Sequence, residues 1–371
     1  MNIAIWGAGK FGLYVGKQLY DVCNIVCFID NYPEGRDTLL EKKVVSPEEY
    51  LKIYENQTDM VLIAVMNWCM VYEQIRQMKV KKFGVIDSCV YQYQLVISRD
   101  IISDIRICWN SEFESKKAYM KTLETNVVDF CNLNCKGCSH FSNLFCKGDT
   151  VGFESFEKDI KQLSNKVLIL HFDLLGGEPF LSTDLAKYIK CLRDYMPKTS
   201  ITIVSNGILI PRQNEELLSF IKENNVLISI TQYPPTIKLK SAIEDTLNKF
   251  GIKYEFRKGV KNFGKNIDLS GKNNPYIAQT KCREILCRFL RNGKIYKCPF
   301  SALGNNFFDK FDIALHFEEG IDIYNETIDL QKSLDLLDTE PIEQCRFCGE
   351  EEHFIWEMSS NPEYKEWIVK E

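Results

Sequence analysis

The chain has 371 residues, 45% of them hydrophobic, and a formal net charge of −5. This length accommodates two to three domains, and the small acidic excess gives no general basis for binding nucleic acid or an anionic membrane. No apolar stretch is long enough to span a bilayer. The chain opens with Met-Asn-Ile-Ala-Ile-Trp, without a charged leader or cleavage site, so we expect a cytoplasmic protein with reduced thiols and no membrane partner.

The first hundred residues predict a nucleotide-binding unit. Strands are predicted at 3–6 and Asn24–Ile29, with a glycine turn and a helix between them, and shorter strands follow at 60–65 and 83–86. Glycines in such a turn let a pyrophosphate approach the helix N-terminus, and an acidic residue after the second strand suits a ribose diol. The candidate nucleotide-binding residues are Gly7, Gly9, Gly12 and Asp30.

This Rossmann-like segment resembles the N-terminal domain of bacterial sugar O- and N-acyltransferases. The resemblance lies in Ile-Trp-Gly-Ala-Gly-Lys-Phe-Gly, Cys-Phe-Ile-Asp-Asn and Val-Leu-Ile-Ala-Val, and it implies a nucleotide-linked sugar as ligand. A domain that binds NAD and a remnant that binds no ligand are the alternatives.

Three cysteines follow a predicted strand at 123–130. Cys131, Cys135 and Cys138 have the spacing C-x3-C-x2-C, which can hold a [4Fe–4S] cluster and leave its fourth iron without a protein ligand. This loop resembles the signature of the radical S-adenosylmethionine (radical SAM) superfamily. The resemblance implies that S-adenosylmethionine completes the coordination shell of the iron that has no protein ligand.

Polar motifs follow the next three predicted strands, at 167–175, 201–204 and 226–230. In the family that the chain resembles, these motifs contact the methionine and ribose parts of the cofactor, although Ser-Asn-Gly is equally typical of a plain turn. The candidate cofactor-binding residues are Gly176, Gly177, Glu178, Ser205, Asn206 and Thr231.

The cysteine loop departs from the family pattern at one position. The family often has an aromatic residue before the third cysteine, where it stacks on adenine, and this chain has Gly137. We therefore expect adenine to be held by His140, by Phe141 or by backbone near 228–231.

A second group of cysteines lies in the last quarter of the chain. Its spacing resembles the start of the SPASM pattern, and it holds enough cysteines for one auxiliary [4Fe–4S] cluster, as in the shortened twitch version. A structural zinc is the alternative. Cys287 is a surplus residue that replaces Cys282 as ligand, donates a hydrogen atom in catalysis, or is simply buried. The candidate ligands are Cys282, Cys298, Cys345 and Cys348.

The predicted fold class is α/β. The expected domains are a Rossmann-like domain at 1–100, a linker at 101–118, a partial (β/α)6 TIM-type radical SAM barrel at 119–275 and a small twitch/SPASM-like iron–sulfur domain at 276–371. The remaining cysteines have no ligand spacing and are expected to be small apolar residues. These are Cys23, Cys27, Cys69, Cys89, Cys108, Cys146 and Cys191.

Together these resemblances imply an enzyme that cleaves S-adenosylmethionine reductively, with electrons from an external flavodoxin or ferredoxin. The expected substrate is a small molecule, a nucleotide-activated sugar or polyol that is oxidised, epimerised or dehydrated in surface-polysaccharide metabolism. One alternative is a maturase of a ribosomal peptide, and another is a non-catalytic metal-binding regulator.

Overall fold

The computed structural model describes residues 1–33, 35–66, 68–80, 82–86, 106–109, 117–146, 152–284 and 287–370. The chain divides into two compact units. The first contains Met1–Lys121, Lys166–Leu170 and Lys198–Ser200, and the second contains Thr122–Asn165, His171–Pro197 and Ile201–Glu371. None of the described helices has the length and apolar character needed to cross a membrane.

The first unit has a seven-stranded sheet in the order β3-β4-β2-β1-β5-β6-β7. Strands β4, β2, β1, β5 and β6 are parallel, whereas β3 and β7 pair antiparallel with their neighbours. The strands are β1 (Asn2–Trp6), β2 (Asn24–Ile29), β3 (Thr38–Leu39), β4 (Lys42–Val45), β5 (Met60–Ile63), β6 (Lys82–Val85) and β7 (Arg106–Trp109). The helices are α1 (Lys10–Leu19), the one-turn α2 (Pro47–Glu49) and α3 (Trp68–Gln77).

Both faces of this sheet are buried, which explains the continuous apolar strands. Ile3 and Ile5 of β1 pack in one core cluster with Phe11 of α1, whereas Trp6 packs in the opposite cluster with Trp68 of α3. The strands predicted at 3–6 and Asn24–Ile29, and the helix through Leu19, are confirmed.

The second unit has an eight-stranded sheet in the order β12-β11-β10-β9-β8-β14-β15-β16. From β8 to β12 the strands alternate with helices along the chain. The strands are β8 (Ala118–Val128), β9 (Val167–Gly176), β10 (Ser200–Ser205), β11 (Leu227–Ile230) and β12 (Tyr254–Phe256). The helices are α4 (Phe153–Lys166), α5 (Leu185–Tyr195), α6 (Glu215–Glu223), α7 (Pro234–Lys238) and α8 (Lys240–Phe250).

The remaining elements build the C-terminal part of the second unit, in which an antiparallel hairpin turns at Asn292 and Gly293. Both turn residues have positive φ, 49° and 77°, as the predicted hairpin requires. The strands are β13 (Asn262–Asp268), β14 (Phe289–Arg291), β15 (Lys294–Tyr296), β16 (Ile321–Asp322), β17 (Cys348–Ile355) and β18 (Ile368–Lys370). The helices are α9 (Pro275–Thr280), α10 (Pro299–Lys310) and α11 (Leu330–Thr339).

Two features differ from the expected domain plan. The described strands of the α/β progression number five, β8 to β12, because β13 leaves that sheet and pairs with β17 and β18 in a three-stranded sheet. Within the expected linker, 106–109 form β7, which pairs with β6 of the first unit. The rest of 101–116 lies outside the described residues.

Candidate functional site

The cysteine loop begins where β8 ends. The guanidinium of Arg291 makes two hydrogen bonds to Asp129, of 2.9 and 3.0 Å, and Asn126 donates to the same carboxylate at 2.9 Å. Asp129 is 2% exposed, so this bidentate pair is shielded from water. It ties the start of the loop to the hairpin strand β14.

All three cysteine sulfurs accept hydrogen bonds, that of Cys138 from the backbone N–H groups of His140 and Ser142. The backbone N–H of Leu133 lies 3.4 Å from the sulfur of Cys131, and the side-chain amide of Asn206 lies 3.8 Å from the same atom. The indole N–H of Trp356 donates to the sulfur of Cys135 at 3.2 Å. Donors aimed at sulfur suit a thiolate or a cluster ligand better than a neutral thiol.

Burial raises the pKa of Cys131 and of Cys135 to about 12, and it also raises the pKa of Cys138. Free thiols here are therefore protonated at neutral pH, and ligation of a metal has to release their protons. Cys138 adds to the raised pKa of Cys131 and of Cys135, and Cys131 adds to that of Cys135, so the three side chains lie close together. The donor set therefore fits an iron–sulfur cluster.

A C-terminal segment, residues 357–367, makes hydrogen bonds with the cysteine loop. The N–H of Lys136 donates to the carbonyl of Glu357 at 3.0 Å, and the N–H of Ser359 donates to the carbonyl of Asn134 at 2.8 Å. The indole of Trp367 donates to the carbonyl of Cys138 at 2.8 Å. Residues more than 200 positions away in the chain thus hold the loop in place.

Gly137 lies in the tightest part of this contact. Its φ is 62°, and a Cβ atom here would lie 2.8 Å from the carbonyl oxygen of Glu366 and 2.9 Å from the ring of Phe354. The absence of the family's aromatic residue therefore has a steric reason in this chain.

The glycines of the Gly-Gly-Glu motif allow two backbones to touch. A Cβ atom on Gly176 would lie 2.1 Å from the carbonyl oxygen of Val128, and one on Gly177 would lie 1.9 Å from that of Phe130. The N–H groups of Gly177 and Glu178 donate to the same two carbonyls, at 2.9 and 3.2 Å. The motif thus fixes the backbone that leads into the cysteine loop.

Glu178 is fully buried and links the ends of β9 and β10. Its carboxylate accepts hydrogen bonds from the hydroxyl of Ser205 at 2.7 Å, from the N–H of Asn206 at 2.8 Å and from the N–H of Phe180 at 3.1 Å. Burial raises the pKa of Glu178 to about 7, although these three bonds act in the opposite direction.

The Ser-Asn-Gly motif, residues 205–207, lies next to the cysteine loop in the structure. The side chain of Asn206 donates to Asn132 at 2.7 Å, and the N–H of Thr231 donates to the carbonyl of Ser205 at 2.9 Å. Ser205 and Asn206 are 3% and 5% exposed. Contact of these residues with a cofactor stays a prediction.

The expected role of Phe141 in holding adenine is wrong. Its ring is 1% exposed and packs on Phe307 and Trp367, with ring centroids 5.3 and 5.9 Å apart, so it belongs to the aromatic core. His140 is half-buried beside Asn126 at 3.2 Å, and burial lowers its pKa to about 4.

Sequence reasoning missed Tyr233. Burial raises the pKa of its hydroxyl well above the usual range, and the three loop cysteines contribute to this shift, so the side chain lies close to them. Its ring centroid is 5.6 Å from that of Trp356. The position of Tyr233 just after the end of β11 was the available signal.

The four cysteines expected to form an auxiliary site line one cavity of about 390 Å³. Burial raises the pKa of Cys348, and the charges of Cys298, Cys345 and Cys282 add to the shift. Cys298 is the N-cap of α10, where a thiolate is favoured by the helix dipole. In the described ranges, no three His, Cys, Asp or Glu side chains form a group suited to a single metal ion.

Cys287 does not line that cavity. Burial raises the pKa of its thiol, and the charges of Glu124, Glu284 and Cys298 add to the shift. Its expected roles remain open.

The other cysteines divide into two groups. Cys23, Cys27 and Cys191 are buried, as expected, whereas Cys146 is exposed, which corrects the expectation that it is an apolar core residue. The side chains of Cys69, Cys89 and Cys108 lie outside the described residues. No disulfide joins the cysteines in the described part of the chain.

The nucleotide-binding candidates meet at one end of the first sheet. A Cβ atom on Gly12 would lie 1.7 Å from the carbonyl oxygen of Gly7, whose φ is 128°, whereas one on Gly9 would meet open space. Asp30 accepts the N–H of Ala8 at 3.1 Å. The carboxylate therefore holds the glycine turn, and nucleotide binding stays a prediction.

Residues 125–270 match the Radical SAM superfamily. A GTP 3′,8-cyclase of Nautilia profundicola is 26% identical over 176 residues, covering 45% of this chain and 52% of that protein. One of Sulfurovum sp. is 28% identical over 131 residues, covering 34% and 39%. The chain thus spans about half the length, or less, of these relatives.

Among solved structures, BtrN in complex with AdoMet and 2-DOIA is 17% identical, with a TM-score of 0.40, covering 63% of this chain and 94% of that one. The match of residues 125–270 includes the cysteine loop, the Gly-Gly-Glu motif and the Ser-Asn-Gly motif, which the structure brings together. Residues 125–270 are therefore a radical SAM superfamily domain.

Proposed function

We propose that the chain is a radical SAM enzyme whose loop cysteines, Cys131, Cys135 and Cys138, hold a [4Fe–4S] cluster with one open iron. The observation that carries this proposal is a loop of three free thiols, with N–H donors on all three sulfurs, inside the matched domain. When bound and reduced by an external one-electron donor, the cluster and S-adenosylmethionine supply a 5′-deoxyadenosyl radical that abstracts hydrogen from a C–H bond.

The chain's own residues position this centre and shield it from water. Trp356 covers one sulfur and donates to it, and Gly177 lets the backbone of the motif contact the carbonyl that precedes Cys131. Asn206 connects the ends of β10 and β8 through Asn132. These contacts limit the motion of the loop, which serves the positioning on which radical chemistry depends.

Cys282, Cys298, Cys345 and Cys348 would hold an auxiliary [4Fe–4S] cluster in their shared cavity, with a structural zinc as the alternative. The substrate that we propose is a nucleotide-activated sugar or polyol, which is oxidised, epimerised or dehydrated. The glycine turn of the first unit supports a nucleotide-linked ligand, since Gly7 and Gly12 shape the end of β1 as phosphate-binding turns require.

A second candidate is a free purine nucleotide as substrate. The relatives matched over the domain are named GTP 3′,8-cyclase, so GTP belongs in any substrate screen of this chain.

The test of the proposed function is S-adenosylmethionine cleavage by the full chain, purified without oxygen and reduced with dithionite. Wild type is expected to form 5′-deoxyadenosine and to contain about eight irons per chain if both clusters are present. Cys135→Ala should abolish 5′-deoxyadenosine formation and leave about four irons, because one cluster loses a ligand.

Cys146→Ala is the matched control, since Cys146 is an exposed thiol close to the same loop. It should keep both the iron and the cleavage activity. Full activity of Cys135→Ala would contradict the proposed function.

The substrate class is tested separately by thermal shift of the full chain with UDP-glucose, CDP-glycerol, NAD and GTP. A ligand that binds only the native state raises the melting temperature. A response to UDP-glucose or CDP-glycerol supports a nucleotide-linked sugar or polyol. A response to GTP alone favours the second candidate, and no response to any of the four counts against both.

A further inference from the structure

The inner face of the second sheet carries polar side chains where an apolar core would be the default. Side chains along a strand alternate between its two faces. On one face of β8 to β12 lie Glu124, Asp173, Thr202, Ser229 and Glu255, whereas their immediate neighbours in the chain are mostly apolar.

Most of these polar groups are paired with one another. Glu255 accepts the hydroxyl of Ser229 at 2.5 Å, and Ser229 in turn accepts the Nε–H of Arg257 at 2.6 Å. A ring nitrogen of His171 lies 2.8 Å from Asp173 and 3.1 Å from the hydroxyl of Thr202. The face therefore holds two internally satisfied networks.

Glu124 is the exception. It is 9% exposed, and its Oε1 is buried without a hydrogen-bond partner among the described residues. The nearby cation is Arg288, which immediately precedes β14. Its guanidinium already donates hydrogen bonds to the carbonyl oxygens of Lys297 and Leu337 and to the carboxylate of Asp338. Leaving a buried polar atom unpaired is costly, so a native structure that keeps one needs a reason.

Several charged side chains act on Glu124. Burial, together with the charges of Asp173 and Glu284, raises the pKa of Glu124 well above its usual range, and Arg257 acts in the opposite direction.

Glu284 links the surroundings of Glu124 to the cysteine loop. Glu284 influences both Glu124 and Cys138, and the hydroxyl of Ser139, next to Cys138, hydrogen-bonds to Glu284. A ligand on the inner face beside Glu124 would therefore lie on the same side of the sheet as the proposed cluster.

We propose that Glu124 is a substrate-binding residue that forms a hydrogen bond with a hydroxyl group of the substrate on the inner face of the sheet. This inference rests on the proposed function and narrows it to a hydroxyl-bearing substrate. The unpaired Oε1 of Glu124 can accept a hydrogen bond from the hydroxyl group of an alcohol.

The first test compares the melting temperatures of two variants without substrate. Glu124→Met, of similar shape, should raise the melting temperature by about 2 °C or more, because it removes an unpaired polar atom. The matched control Glu255→Met should lower it, since it removes the acceptor that is paired with Ser229. A fall for Glu124→Met as large as for Glu255→Met would show a structural role and overturn the proposal.

The second test measures the binding of UDP-glucose and CDP-glycerol to the full chain by calorimetry, with S-adenosylmethionine present. Whichever of the two ligands binds to wild type should bind to Glu124→Met with an affinity at least tenfold lower. Unchanged affinity in the variant, or no binding of either probe to wild type, overturns the proposal. Neither test measures cofactor cleavage. Failure of the proposed function is therefore detected separately, because wild type would then form no 5′-deoxyadenosine.

Discussion

The indole nitrogen of Trp356 lies 3.2 Å from the sulfur of Cys135, although 221 residues separate the two in the chain. This hydrogen bond joins the segment after β17 to the loop after β8. It makes the C-terminal segment part of the immediate surroundings of the proposed cluster, and hydrogen bonds to cysteine sulfurs are one of the ways in which proteins set cluster potentials.

Trp356→Phe should lower the reduction potential of the loop cluster. The N–H donor stabilises the more negatively charged, reduced state, so its loss makes reduction harder. If the hydrogen bond stabilises only the reduced state, by about 1 kcal/mol, its loss lowers the reduction potential by an amount on the order of 40 mV. Potentiometric titration followed by electron paramagnetic resonance measures it.

Trp367→Phe is the control for this change. Its indole donates to the carbonyl oxygen of Cys138, not to a sulfur, at 2.8 Å. It should reduce the stability of the loop and change the potential less than Trp356→Phe does. Equal potentials in Trp356→Phe and wild type would contradict a role for this bond.

Gly177→Ala should disrupt the cysteine loop. The added Cβ atom would lie 1.9 Å from the carbonyl oxygen of Phe130, next to Cys131, and both partners are backbone and cannot rotate away. We expect a loss of stability of about 3 kcal/mol or more, together with a fall in iron content. Melting temperature and iron analysis measure the two effects.

Gly9→Ala provides a matched glycine control in the first unit. Its φ is −81° and no atom lies within 4 Å of the added Cβ position. Little change in melting temperature is expected. Normal iron content in Gly177→Ala would show that the loop tolerates the displaced backbone.

Cys345→Ala should remove the auxiliary metal and leave the loop cluster in place. Cys345 lines the cavity shared with Cys282, Cys298 and Cys348. If the cavity holds a cluster, iron should fall from about eight to about four per chain, and if it holds zinc, zinc should be lost instead. Metal analysis decides between the two.

Cys287→Ala is the control for the auxiliary site, because Cys287 does not line that cavity. Its metal content should equal that of wild type. A loss of metal in Cys287→Ala but not in Cys345→Ala would reverse the assignment of ligands.

Glu178→Gln should change how stability depends on pH. The pKa of Glu178 is raised by burial to about 7 in the folded protein, so the folded state holds a proton that the unfolded state releases above about pH 4.5. The contribution of Glu178 to the free energy of unfolding is therefore present at low pH and is lost as the pH rises toward 7.

The melting temperature of wild type relative to Glu178→Gln should fall between pH 5 and 8, because glutamine does not titrate. Thermal melts of both proteins at four pH values in this range, without oxygen, measure the difference. Parallel curves would show that Glu178 keeps an ordinary pKa in the folded protein.

Local sequence patterns predicted several elements correctly. The strand at Asn24–Ile29, the helix ending at Leu19 and the Asn292-Gly293 turn follow from periodicity and from glycine chemistry within a few residues. The spacing of Cys131, Cys135 and Cys138 predicts a cluster loop in the same local way, because cluster ligands in a loop lie close in sequence.

Long-range contacts were not predictable in this way. Trp356, Tyr233 and Glu124 carry no local motif, and each acquires its surroundings from strands or segments far away in the chain. The assignment of Phe141 to adenine was wrong for the same reason, since its burial depends on Phe307 and Trp367.

The sequence by itself determined where the three thiols and the two glycine motifs lie and predicts the chemistry of the loop, because these are properties of consecutive residues. Only the tertiary structure decided which groups donate to the sulfurs, why Gly137 has no room for a side chain, and that Glu124 is buried without a partner. These depend on packing between residues distant in sequence, where burial and sterics, not local propensity, set the energies.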